Sequence, residues 1–431
     1  MSQVRACGWT LLCASILASP LCAQDADRIW GRVRTDSGDV HEGFIRWDRN
    51  EGSWVDILDG SKEIPDVNYR VWLAANHEES AVRTIELRGY RISWDEEDPD
   101  FPSSMPSGIR FGHIAALTVA GEDQVELELR SGERVELSGG ATDIGRSIRE
   151  IVVDVPGRDE IELRWRDLER IDFSAPPGGA RARARRLFGT AEDVTGRRFT
   201  GYISWDLDEI LESDVLDGEE IEGGRERDIR FDEISEIERI DEGARVTLRR
   251  GDTIDMTGSN DVDRGHRGVQ VSDPMLGMVE VEWREFRTLR LHEPDAVADY
   301  GTFDGGHGLR GTVFTTSGEE ISGAIRWDAD EAASWELLNG RSHDVAFTVE
   351  LAFVDRIERG EAFGATVVLT DGRTLELEGT SDVDWDNRGI LVAEGGASAA
   401  AVSSWRVIAW ENFREIRFLH GGDDDGRVDG R

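Results

Sequence analysis

Asp206, Asp208, Glu209, Asp214 and Asp217 follow Trp205 closely enough for one loop and the strand after it to bring them together. Carboxylates converging in this way suit Ca²⁺, a hard cation that takes roughly six to eight oxygen ligands. The spacing is not that of an EF-hand, and acids in the turns of an acidic chain are expected to be solvated. Their positions nevertheless recur. Asp48, Asp206 and Asp328 each follow a tryptophan directly, and Glu51, Glu209 and Glu331 lie four residues after it. Asp56, Asp214 and Glu336 each stand four residues before a glycine.

A second recurring set pairs opposite charges. Asp143 and Arg149, Asp261 and Arg267, and Asp382 and Arg388 share a six-residue spacing across an expected hairpin loop. An ion pair within the loop is the expected role. The flanking Asp263, Asp384 and Asp386 are weaker cation ligands.

Catalytic chemistry finds no comparable set. The eight histidines do not recur in register, the three cysteines are Cys7, Cys13 and Cys22, and no G-x-S-x-G, HExxH or phosphate loop is present. No catalytic residue and no organic cofactor is assigned, and the chain is expected not to be an enzyme. The alternative is a carbohydrate-active or other hydrolytic enzyme using pairs of carboxylates. Trp47, Trp205 and Trp327 lie in phase with Ile45, Ile203 and Ile325, which places them in the core rather than on a ligand platform. Trp165, Trp283 and Trp410 read the same way. Trp54, Trp335, Trp385 and Trp405 do not recur and are the better candidates for meeting a ligand.

These residues sit in a chain that repeats itself. The frame G-x(6)-G-x(4)-G-x-I-x-W-D-x-x-E occurs from Gly31, Gly189 and Gly311. Each copy is followed by a second block with turn glycines Gly132, Gly251 and Gly372, closing on a tryptophan with apolar residues at three-residue steps, as in Trp283, Phe286 and Leu289. The chain is therefore three copies of a two-part unit. Short apolar and polar alternation, as in Val125, Leu127 and Leu129, predicts antiparallel strands and an all-β fold.

The three-residue steps before each last strand suit a single 3₁₀ turn. In this the blocks resemble the small SH3-like and Sm-like barrels, whose last two strands are joined by such a turn. The resemblance implies six five-stranded barrels, two per unit, and no particular activity. A six-bladed β-propeller is the alternative.

Residues 1–23 read as a secretory signal ending at Ala23, so all three cysteines leave with it. Unit one follows at 24–173 with an insertion at about 66–108, then a basic linker at 174–186. Unit two spans 187–293, a second linker 294–308 and unit three 309–420; residues 421–431 read as a disordered acidic tail. The linker arginines, Arg181, Arg183, Arg185 and Arg186, are expected to be solvated and to pair with nearby acids.

Acids outnumber Lys plus Arg by 89 to 50, a net charge of −39, and Lys62 is the only lysine. Such a surface repels nucleic acid and anionic lipid. No later apolar run approaches membrane length. The expectation is a periplasmic or secreted, non-enzymatic binding or scaffold protein whose partner is a protein or another component of the cell envelope.

Overall fold

The computed structural model describes residues 25–76, 84–87, 90–93, 102–139, 143–360, 363–394 and 404–420. The expected signal, Trp94 and the acidic tail lie outside the described residues. The fold is all-β, as the alternation predicts. Along the strand Gln124–Leu129, for example, Val125, Leu127 and Leu129 are buried while Glu126 and Glu128 stay partly open.

The first unit contains β1 (Trp30–Thr35), β2 (Val40–Trp47), β3 (Ile57–Glu63), helix α1 (Asp66–Asn76), β4 (Thr84–Leu87), β5 (Tyr90–Ser93) and β6 (Ser104–Arg110). It continues with β7 (Ile114–Val119), β8 (Gln124–Leu129), β9 (Arg134–Ser138), β10 (Ile151–Asp154), β11 (Ile161–Leu163) and β12 (Leu168–Phe173). The second has β13 (Phe188–Asp193), β14 (Arg198–Trp205), β15 (Val215–Glu220), β16 (Glu226–Arg230) and β17 (Ile234–Ile240). Its later strands are β18 (Gly243–Leu248), β19 (Thr253–Thr257), β20 (Val269–Asp273), β21 (Gly277–Val281) and β22 (Phe286–Leu291). The third has β23 (Arg310–Thr315), β24 (Glu320–Arg326), β25 (Leu337–Ser342), β26 (Val345–Glu350) and β27 (Val354–Arg359). It ends with β28 (Ala365–Leu369), β29 (Thr374–Leu377), β30 (Ile390–Glu394), β31 (Trp405–Ile408) and β32 (Phe413–Phe418).

Strands of the first unit lie in the order β11-β10-β2-β1-β12-β7-β8-β9-β3-β6. The second unit repeats this order strand for strand, from β21 to β16, and the third keeps it from β31 to β29. In each, the last strand is inserted between the first strand and the one after the 3₁₀ turn, as β12 pairs with both β1 and β7. The two sequence blocks are thus not two separate barrels. One five-stranded half is continuous (β3, β6–β9), while the other joins β1 and β2 to β10–β12 from the far end of the unit. The three main sheets are open at both ends, with ten, twelve and eight strands, so neither closed barrels nor four-stranded propeller blades are formed.

Of the closing segments, Trp165–Asp167 and Trp410–Asn412 form the 3₁₀ turn that the three-residue steps predict, while at Trp283 the chain makes a hydrogen-bonded turn that is not 3₁₀; further 3₁₀ turns stand at Phe111–His113, Phe231–Glu233 and Leu351–Phe353. Six hairpins share one turn. Gly38, Gly132, Gly196, Gly251, Gly318 and Gly372 have φ between +86° and +95°, and each amide donates to the carbonyl three residues back. A side chain at those angles would be strained, which is why glycine recurs there.

The units are welded together. β26 of the third pairs with β21 of the second, from Gly277 opposite Val349 to Val281 opposite Val345. The insertion in the first unit replaces a short hairpin loop with α1, which lies on β31, and Val71 and Trp72 cluster with Leu391 of the neighbouring β30 and with Trp405 and Val407 of β31. A helix over an otherwise open strand edge removes a site for stray pairing. Neither linker is a loose tether. Arg186 is buried against Asp56, and Phe303 of 294–308 packs on Gly112, where even a Cβ would come within 2.1 Å of its ring. The expectation of a solvated basic strip is therefore corrected for Arg186, whose guanidinium is 0% exposed.

Candidate functional site

Each Trp-Asp pair ends a strand and opens a tight turn. Asp48 and Arg49, Asp206 and Leu207, and Asp328 and Ala329 all have positive φ, from +40° to +68°. Two such residues in succession define a type I′ turn, whose twist suits a hairpin. The strain is held by the recurring loop opposite. Trp47, Trp205 and Trp327, all 0% exposed, donate Nε1–H to the carbonyls of Asp143, Asp261 and Asp382, each at 2.9 Å. Asp48, Asp206 and Asp328 accept the backbone N–H of Arg149, Arg267 and Arg388 in return.

Of the five acids in the second unit, three converge. One ligand oxygen from each of Asp206, Asp208 and Glu209 lies within 4.8 Å of the others. Arg267 stands among them, donating Nη2–H to Asp206 Oδ2 at 2.9 Å and also to Asp208. Asp208 further takes Arg149 Nη1–H, from the first unit, at 2.9 Å. A guanidinium thus supplies the charge that a bound cation would supply.

Asp214 and Asp217 do not join this group, which corrects the five-acid reading. Asp214 Oδ2 accepts the N–H groups of Ile210 and Leu211 at 2.8 and 2.9 Å, and both its oxygens take Arg46 of the first unit at 2.9 Å. Asp56 and Glu336 repeat the pattern, capping their own turns and pairing with Arg186 and Lys62. These acids rivet one unit to another. Asp217 is exposed, and its N–H donates to Asp261 Oδ2 at 2.9 Å.

The six-residue Asp and Arg spacing does not make an ion pair within the loop. Asp143, Asp261 and Asp382 accept the N–H groups of Asp59, Asp217 and Asn339 across the sheet, while the arginines reach back to the turn after the tryptophan. The geometry favours this because an Asp side chain is short enough to cap a strand, whereas an Arg side chain can span to a second turn.

Glu51, Glu209 and Glu331 have a different fate. In each, Oε2 is buried with no hydrogen-bond partner among the described residues. Burial, then the surrounding aspartates, pushes Glu209 up to about 9 and raises Glu51 and Glu331 well above the usual carboxylate range. Glu209 therefore keeps its proton at neutral pH. His266, wedged against Trp205 and Trp283, is pushed down to about 4 by burial and stays neutral.

Trp165, Trp283 and Trp410 are buried, as are Trp54 and Trp335, while Trp405 meets Arg326 with the guanidinium 4.2 Å from its ring centre. Trp385 is 47% exposed, with Arg359 5.5 Å from its ring. Sequence reasoning passed over Asp59 and treated Lys62 only as a matter of composition. A lone lysine at a junction between units was the available signal.

Comparison with family models, with curated proteins and with solved structures returned no match.

Proposed function

We propose that this chain is a non-enzymatic binding or scaffold protein, periplasmic or secreted, that presents SH3-like modules as one rigid body to a protein or another component of the cell envelope. The observation that carries this reading is the welding of the units. Strands β21 and β26 share a sheet, and Arg46, Arg186 and Lys62 pair with Asp214, Asp56 and Glu336 across unit boundaries. Buried links of this kind cost desolvation and repay it only with fixed geometry, a demand that scaffolds make. The five-stranded half of β1, β2 and β10–β12, with the 3₁₀ turn Trp165–Asp167 directly before its last strand, supports the SH3-like reading. Among the described residues no helix is long and apolar enough to cross a membrane.

The turn acids are engaged in holding loops and units, which weakens the case for a hydrolase that needs one carboxyl raised in a cleft opposite an ionised partner. Capture from envelope extract with the full chain tests the binding role. A parallel screen on polysaccharides and peptides tests the alternative, since turnover abolished by Asp206→Asn or Asp214→Asn would overturn the proposal.

A further inference from the structure

Where the third unit meets the first, β3 and β6 face β25 and β26 across a cavity of about 220 Å³. Asp59, Lys62, Glu331 and Glu336 line it together with Met278 and Leu337. Its charges do not balance. The Lys62 ammonium is taken by Glu336 and lies 3.4 Å from Asp330 Oδ2, and it donates to the Asp330 carbonyl at 2.9 Å. Glu336 is further satisfied by the N–H groups of its own turn. Glu331, 7% exposed, keeps Oε2 without a hydrogen-bond partner, and the exposed Asp59 stands at the mouth of the same cavity. A buried acceptor left unmade costs about 1–3 kcal/mol, so an arrangement that keeps one at a cavity wall invites a donor from outside.

We propose that this cavity binds a primary alkylammonium or guanidinium group, held between the carboxyls of Asp59 and Glu331 with its carbon stem against Met278 and Leu337. Lys62 already shows that the junction accepts this chemistry, because an ammonium on an alkyl stem occupies the neighbouring pair of acids. A bare divalent ion fits less well. The wall is partly apolar, and Asp59 and Glu331 do not belong to the group of acids whose oxygens converge closely enough for a metal. Protonation agrees with the geometry. Desolvation, then Asp143, pushes Asp59 up to about 7, and burial with its acidic neighbours holds Glu331 well above its ordinary range. Asp59, at about 7, would be drawn fully to its ionised form by a bound cation, so binding near neutral pH releases protons.

Calorimetry on the full chain at neutral pH and fixed ionic strength tests this, with putrescine and agmatine as probes and butanediol as the neutral control. Binding of either cation is expected, with proton release read from the heats in two buffers of different ionisation enthalpy. Asp59→Asn and Glu331→Gln should each weaken it by about tenfold or more, the loss of one charge-assisted contact. A lysine-bearing peptide run alongside separates the sources: a peptide that binds where free amines do not places the group on a protein partner. Heats for all three cationic probes equal to those of butanediol, or undiminished binding in both variants with native far-ultraviolet spectra, would overturn the proposal. The scaffold reading stands or falls separately, on capture of a partner by the wild-type chain.

Discussion

Arg110 holds its Nε 3.3 Å from Oε2 of Glu350, and the two side chains are 0% and 2% exposed. They occupy equivalent places, each directly before a 3₁₀ turn, in the first and third units. The Nε contact is one of charge, without hydrogen-bond alignment. The guanidinium also donates to the carbonyls of Pro274 and Asp273 of the second unit, each at 2.9 Å, so one side chain touches all three units. His113 completes the junction. Its Nδ1 accepts the Gly305 N–H at 3.1 Å, which leaves Nε2 to donate to Glu350 Oε1 at 3.1 Å.

Removing one partner of a buried pair strands the other charge, at a cost of about 3–5 kcal/mol. Glu350→Ala is therefore expected to lower unfolding stability by about that amount in urea titrations of the full chain. Combining Arg110→Met with Glu350→Leu should be the milder change, since neither charge is then left unpaired. A loss below about 1 kcal/mol for the single variant would show that the junction is not closed to water.

Trp205 is 0% exposed and packs at 5.3 Å from Phe286 and 6.0 Å from Trp283. Trp205→Ala should cost about 3–5 kcal/mol, the range for truncating a large buried aromatic. Because β21 and β26 share a sheet, the loss should appear in hydrogen exchange of both the second and third units. Loosening confined to the second unit would contradict the shared sheet.

The pH dependence follows from the buried glutamates. Glu209 is raised from the ordinary 4.5 to about 9, so between these values the folded chain binds more protons than the unfolded one and stability falls as pH rises. His266, lowered from 6.5 to about 4, acts in the opposite direction below pH 6.5. Above that only the carboxyls contribute of these groups. The melting temperature is expected to decline from pH 6.5 to 9, and Glu209→Gln, neutral throughout, should flatten the decline. An unchanged slope in the variant would mean that Glu209 ionises freely.

Arg267 already sits on Asp206 and Asp208, so millimolar Ca²⁺ should shift the melting temperature of the wild type no more than matched ionic strength does. Arg267→Ala removes the built-in cation and leaves three converging carboxyls, and a Ca²⁺-specific rise is expected there by mass action. Specific stabilisation of the wild type would show that the arginine yields its place.

The repeat frame, the hairpin glycines and the 3₁₀ turns were legible because each is local: a turn needing φ near +90° or a three-residue step leaves its mark within a few positions. Strand partners were not. That β12 slips between β1 and β7 is decided by burial of Ile171 opposite Leu117, and nothing in the spacing of either block announces it. The acids failed for a related reason. Asp261 and Arg267 are six apart in sequence, yet one caps Asp217 and the other holds Asp206, two partners whose proximity exists only once β14, β15 and the loop before β20 have assembled.

The pairing of β21 with β26 has no counterpart between the first two units, although β11 and β16 hold the equivalent places. Counting from the turns that follow them, the same register would set Glu162 opposite Glu226 and Glu160 opposite Asp228, where β21 and β26 place Glu280 opposite Ala346 and Met278 opposite Thr348. Like charges directly opposite oppose pairing, and charge on an edge strand also deters other molecules. Arg227 stands where β26 carries the buried Phe347. Giving β16 the residues of β26, as Glu226→Ala, Arg227→Phe and Asp228→Thr, should turn a guarded edge into an adhesive one. Light scattering after size exclusion is expected to show concentration-dependent association of that variant and none of the wild type. A variant that stays monomeric up to millimolar concentration would mean that neighbouring segments, rather than charge, keep the edge apart.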